Sequence, residues 1–293
     1  MTAAPALSRR RLVAGAAALA MMTGRAARAA APGGPDRPAP PERPERIVAL
    51  DWALAETLIA LGVTPLAVAE APLYAKRVVV PALPPGTADA GLRSWPNLEA
   101  LRALRPDLVV ALEGYGIAPA RLEAIAPVRA LPIYTAGRRP LALAREAVTA
   151  LAGLCEREAQ GRQLLERLDA ALAPLTAGPR PVLIVKFADE RVVDIYGRGS
   201  LFDDVARARG LENAWTGPTN IWGFASAGLE ELARHPETRL LVIEPAPARL
   251  LRQSAIWQAL PQQRAGRVEL LPPAWVFGGV PSAIRFARLL EAA

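Results

Sequence analysis

Apolar residues in this chain come either as short unbroken blocks or as longer stretches at helical spacing. The blocks at 46–50, 65–68, 108–112, 181–187, 192–196 and 240–244 read as strands. Helices are expected at 53–61, stopped by Gly62, and at 119–125, 200–209, 229–233 and 282–292. Strands that alternate with helices predict a mainly parallel sheet. From Leu141 to Leu175 apolar residues recur near helical spacing, which predicts one long helix. Gly153 and Gly161 allow it to bend, and Ala177-Gly178-Pro179 ends it.

Two stretches repeat one pattern. Residues 97–113 (NLEALRALRPDLVVALE) and 228–244 (GLEELARHPETRLLVIE) both read as a short helix, a proline break and a buried strand. Leu98/Leu229, Glu99/Glu230, Leu101/Leu232 and Glu113/Glu244 coincide, and Pro106 and Pro236 fall one place apart. The expected fold class is therefore α/β, with two lobes, each a mainly parallel central sheet flanked by helices, joined by one long helix. The lobes are placed at 45–140 and 177–293, with the linking helix at 141–176. A cleft between such lobes is where small-molecule sites form. A helical brace predicts small lobe movements.

The leader alters the charge picture. Residues 1–29 read as a twin-arginine signal peptide: Ser8-Arg9-Arg10-Arg11-Leu12, an apolar run to Met22, and an Ala27-Arg28-Ala29 cleavage site. The run is shorter than the ~20 apolar residues a membrane span needs. A proline-rich tether follows at 30–44. Export by the twin-arginine route to the periplasm is expected, with no stable membrane insertion. The leader's five arginines face no acidic residue, so a formal +7 falls to about +2 in the mature chain. Lys76 and Lys186 are the only lysines and the arginines are scattered, so a nucleic-acid partner is not expected. The single cysteine, Cys155, sits among apolar residues and reads as packing.

The catalytic inventory is thin. No G-x-S-x-G elbow, P-loop, H-E-x-x-H or paired-cysteine site occurs. One histidine, His235, at a helix end, and one cysteine cannot build a zinc or haem-iron cage of the usual type, so no metal ligands and no resident cofactor are expected. Gly197-Arg198-Gly199-Ser200 lacks a third glycine and reads as an ordinary helix start. Trp215, Trp222, Trp275 and Phe277 lie at loop positions of the second half. They are either lids on the core or walls of a pocket, and their number in one lobe points to walls. Arg93, after Gly91-Leu92, and Tyr115, between Gly114 and Gly116, lie in loops at strand ends, where α/β sheets place ligands.

In order along the chain, RIVALDW, LIALGVTP, GLR-x-x-PNLE, GYG, SLF, NAW-x-G-x-TN-x-WG and PAW-x-x-G resemble the periplasmic ferric-hydroxamate (ferrichrome-type) siderophore-binding proteins of bacterial ABC importers. These belong to the helix-braced class of substrate-binding proteins. The resemblance implies a monomeric, non-catalytic receptor for a ferric siderophore that serves an inner-membrane ABC permease. It implies that Arg93 and Tyr115 hydrogen-bond the hydroxamate oxygens, that Trp215, Trp222 and Trp275 line the apolar side, and that Asn220 is their polar neighbour. It also implies that Glu99 and Glu230 face the permease; a dipole-favoured glutamate at each helix start is the plain alternative. Three positions depart from the family: Arg77 stands for a tryptophan, Phe224 for a serine and Phe277 for a tyrosine. Trp95 is extra and stands as a replacement wall. Another iron chelate, haem or cobalamin is the neighbouring alternative, and an exported small-molecule hydrolase the one from a different class.

Overall fold

A computed structural model describes residues 42–176 and 180–292. The leader and most of the proposed tether lie outside the described residues. So does the Ala177-Gly178-Pro179 stop.

The first sheet holds β1 (Ile47–Ala49), β2 (Ala67–Val68), β3 (Ala88–Asp89), β4 (Leu108–Leu112) and β5 (Val128–Leu131). Its order is β3-β2-β1-β4-β5 and every pairing is parallel. Helices α1 (Trp52–Ala60), α2 (Ala71–Arg77), α3 (Leu98–Leu104) and α4 (Pro119–Glu123) supply the crossovers. The second sheet holds β6 (Val182–Phe187), β7 (Val192–Tyr196), β8 (Phe224–Gly228), β9 (Arg239–Ile243) and β10 (Val268–Leu271), ordered β10-β9-β6-β7-β8. It is parallel from β10 to β6 and antiparallel from β6 to β8. The reason is chain length. Only residues 188–191 join β6 to β7, enough for a hairpin but not for a crossover. Asp189 closes that turn by accepting from the backbone N–H groups of Arg191 and Val192.

The internal repeat has a topological meaning. β4 lies between β1 and β5, and β9 holds the matching place between β6 and β10. Each is preceded by the short helical segment that the sequence pattern predicts. In the second copy this is a 3-10 turn, Leu229–Arg234, rather than an α-helix.

The single long helix is not what forms. The stretch divides into α5 (Pro140–Leu154) and α6 (Glu158–Ala171), which pack against each other. Glu156 adopts a left-handed φ of 52°. Arg157 N–H donates to Ala152 O and Glu156 N–H to Gly153 O, the paired bonds of a Schellman stop. Gly161 is then a point of close approach, because a Cβ there would lie 2.7 Å from that of Ala152. Beyond α7 (Leu201–Ala208) come α8 (Ala248–Gln253), α9 (Ala255–Ala259), α10 (Pro261–Arg264) and the closing α11 (Val280–Leu289).

Alternation along each central strand divides the interior. Val48 and Leu50 face one cluster with Val109 and Leu122. Leu183 and Val185 face another with Val242 and Trp257. Ile47, Ala49, Val182 and Ile184 all belong to a third cluster, which runs through both lobes and takes in α1, α5, α6, α7 and α11. Phe202 of α7 and Phe286 of α11 stack there at 3.9 Å. Cys155 is buried in the same cluster, and burial pushes its thiol up to about 11, away from reactivity.

Candidate functional site

The first lobe presents its groups just beyond strand ends. Asp51 follows β1 and caps α1, its carboxylate accepting from Ala53 N–H at 2.7 Å. Arg93 stands in the loop between β3 and α3. Its guanidinium carbon sits 4.1 Å over the Trp52 ring and 4.9 Å from that of Trp275. Its Nε donates to the Glu70 carboxylate at 2.7 Å, while neither Nη has a hydrogen-bond partner among the described residues. Tyr115 follows β4. Gly116 next to it has φ 81°, and a Cβ there would come within 3.1 Å of Arg93 O, so the turn that aims the phenol needs glycine.

The second lobe contributes the loop from Asn213 to Phe224. Asn220 accepts from the N–H groups of Trp222 at 2.9 Å and Phe224 at 3.2 Å, which folds the loop tip. Arg138, from the segment before α5, crosses to the same loop. It donates to Thr219 O at 3.1 Å, Asn220 O at 3.1 Å and Arg198 O at 2.8 Å, and to the Thr219 hydroxyl.

Between the lobes lies a cavity of about 190 Å³ lined by Asp51, Arg93, Tyr115, Trp222, Phe224 and Phe277. Trp222 meets Tyr115 edge-on at 5.6 Å and Phe277 at 5.5 Å, and Phe224 lies 5.8 Å from Phe277. One end is thus charged and the other aromatic. Burial lifts the Asp51 carboxyl to about 6, against the Arg93 charge and backbone donors that lower it. Burial, then Arg77, brings Lys186 down to about 8.

Of the residues singled out from sequence, Arg93, Tyr115, Trp222 and Phe277 meet at this cavity. Trp275 stands behind it, buried 4.5 Å from Trp52 and 5.4 Å from Phe277. Trp215 is turned away into the second lobe, against Gly197, Gly217 and the His235 ring. Asn220 shapes the loop through its backbone bonds rather than lining the cavity. Trp95 is 63 % exposed beside Arg121, outside the lining. Phe224, where the resemblance expects serine, is a wall and narrows the space. Sequence reasoning passed over Asp51, Glu70 and Tyr134, whose hydroxyl donates to Gly278 O at 2.8 Å and whose ring lies 5.3 Å from Trp222. Asp51 carried a signal, being the acidic residue between a buried strand and a helix.

His235 ends the 3-10 turn, as its position before Pro236 suggests. Glu99 and Glu230 are exposed in the first turns of their helical segments. A larger depression of about 650 Å³ lies beside Glu230, lined by polar residues such as Glu190, Arg191 and Gln253. No aromatic side chain lines it, so the smaller cavity is the better site. Among the described residues no group of three or more His, Cys, Asp or Glu could hold a metal ion. No helix among them is long and apolar enough to cross a membrane.

Residues 47–274 match the family described as periplasmic binding protein. The chain is 34 % identical to the iron(3+)-hydroxamate-binding protein FhuD of Escherichia coli, over 99 % of this chain and 98 % of that one. A crystal structure of FhuD from Vibrio cholerae bound to Fe3+–Desferal superposes with a TM-score of 0.80 at 30 % identity, covering 85 % of this chain and 97 % of that one. The petrobactin-binding protein YclQ of Bacillus subtilis shares the fold, with a TM-score of 0.72 at 18 % identity over 86 % and 92 % of the two chains.

Proposed function

The chain belongs to the periplasmic binding protein family, and we propose that it captures a ferric hydroxamate siderophore and delivers it to an inner-membrane ABC permease for iron uptake. The observation that carries this reading is the cavity where the Arg93 guanidinium and the Tyr115 phenol stand opposite Trp222 and Phe277. Hydroxamate oxygens around Fe(III) carry partial negative charge, and a guanidinium whose Nη groups have no hydrogen-bond partner among the described residues offers charge-assisted donors to them. The aromatic walls suit the hydrocarbon of the chelate. Iron reaches the site already wrapped, so the protein supplies no metal ligand. The E. coli relative's name brings the hydroxamate class to this chain.

Binding without turnover, a monomer, a periplasmic location and twin-arginine export complete the proposal. Glu99 and Glu230 are the permease-facing residues in it, exposed in the matching helical segments that precede β4 and β9. Titration with ferric desferrioxamine, followed by tryptophan fluorescence, tests the central claim. Saturable quenching is expected, and Arg93→Ala weakens binding about 10- to 100-fold, the worth of hydrogen bonds to a charged group. No quenching by any ferric trihydroxamate or dihydroxamate overturns it. Quenching by haem or cobalamin and by no ferric hydroxamate would favour those ligands, and release of altered chelate in a turnover assay would mark a hydrolase.

A further inference from the structure

Asp51 and Arg93 both line the cavity, and Glu70 holds Arg93 through Nε at 2.7 Å. Two carboxylates against one guanidinium give this end of the site an excess of negative charge, although the ligand is met by a cation. We propose that Asp51 and Glu70 make the site select ferric hydroxamates by net charge, taking cationic and neutral chelates ahead of anionic ones. This rests on the reading above that the cavity holds a ferric hydroxamate.

The arrangement goes beyond what holding Arg93 requires. Glu70 alone pairs with the guanidinium, while Trp52 and Trp275 already fix its plane. Glu70 is moreover kept at a left-handed φ of 51°, a conformation that costs energy in a non-glycine residue and persists only where its surroundings enforce it. Asp51 is 3 % exposed and is within salt-bridge distance of no described cation. Its field acts on Arg93 and on whatever enters the cavity, and a buried charge is screened less than a surface one. At pH 7.5 its carboxyl, lifted to about 6, is ionised.

One chelate can carry all three charges. Ferric desferrioxamine has a neutral iron core and a pendant ammonium; N-acetylation removes that charge and N-succinylation reverses it. Fluorescence titration of the protein with the three forms, at pH 7.5 and low salt, should give affinities falling in that order. The span should be about fivefold or more, as expected for unit charges some 10 Å apart at a partly buried site. D51N keeps the helix cap and E70Q keeps an acceptor for Arg93, so each should bind but narrow the span. Arg77 and Lys186, close enough to one another to lower the lysine, would produce the reverse order if they dominated. Equal affinities, tightest binding of the succinyl form, or a span unchanged in both variants overturns the charge assignment and leaves the hydroxamate reading standing. Binding of none of the three removes that reading and this inference together. The wild-type series needs no variant, so a misfolded mutant does not decide the matter.

Discussion

Glu56 is wholly buried in α1, yet three contacts tie it to the far end of the chain. Its Oε1 accepts from Gly279 N–H at 2.6 Å and Ser282 N–H at 3.1 Å, and Oε2 lies 2.6 Å from the Ser282 hydroxyl. Burial outweighs these bonds and raises its pKa from an ordinary 4.5 to about 8. The folded protein thus keeps a proton up to about pH 8 that an unfolded chain releases near 4.5. Stability therefore falls as pH rises between those values. Melting temperature should drop from pH 5 to pH 8, and Glu56→Gln should flatten that drop; an unchanged slope in the variant would show that Glu56 does not hold the proton. Some slope should persist, since Asp51 and Asp204 are also raised, each to about 6. At this scale the sequence was partly legible. Arg93 and Tyr115 stood out because they lie beside glycines in loops at strand ends. Glu56 did not, because a glutamate inside a helix pattern looks like a solvated face. Only the fold reveals that its neighbours come from α11.

Helix ends show where local pattern suffices. α1 stops at Gly62 with the Gly62 N–H to Ile59 O and Val63 N–H to Leu58 O pair, and glycine announced the stop. α5 stops by the same bonds at Glu156, where nothing in the residue type signals a left-handed turn. Hence one long helix was expected and two formed. β8 was unreadable for a similar reason. Phe224–Gly228 is small and weakly patterned, and becomes a strand only because β7 offers it an edge. The tryptophan loop is governed by Arg138, whose guanidinium ties Arg198, Thr219 and Asn220 together across the lobes. Replacing Arg138 by alanine should free this loop at a cost of about 2 kcal/mol, the scale of hydrogen bonds to a charged donor. Faster amide exchange across 215–224 and weaker chelate binding are expected. Unchanged exchange would show that the asparagine turn at 220 holds the loop alone.

At the level of the molecule, the alternating pattern correctly predicted two α/β lobes, and the repeat marks equivalent strands in them. Two weak copies could not show that one apolar cluster is continuous through both lobes. That continuity, with α11 packed on α1, α5, α6 and α7, opposes wide opening, so X-ray scattering of empty and loaded protein should nearly coincide. A partner must then recognise fixed surface features. Reversing Glu99 and Glu230 to arginine should stop siderophore-dependent growth while leaving chelate affinity intact; lost affinity would contradict a docking role. The bond between Glu56 and residues 279–282 has one more effect, on the order of assembly. The partners of the Glu56 side chain in α1 are supplied by residues that follow it by 223 and 226 positions. The buried acid of the first lobe therefore waits for a segment of the second, and a chain cut before residue 279 would leave it unpaired where the folded protein has its lock.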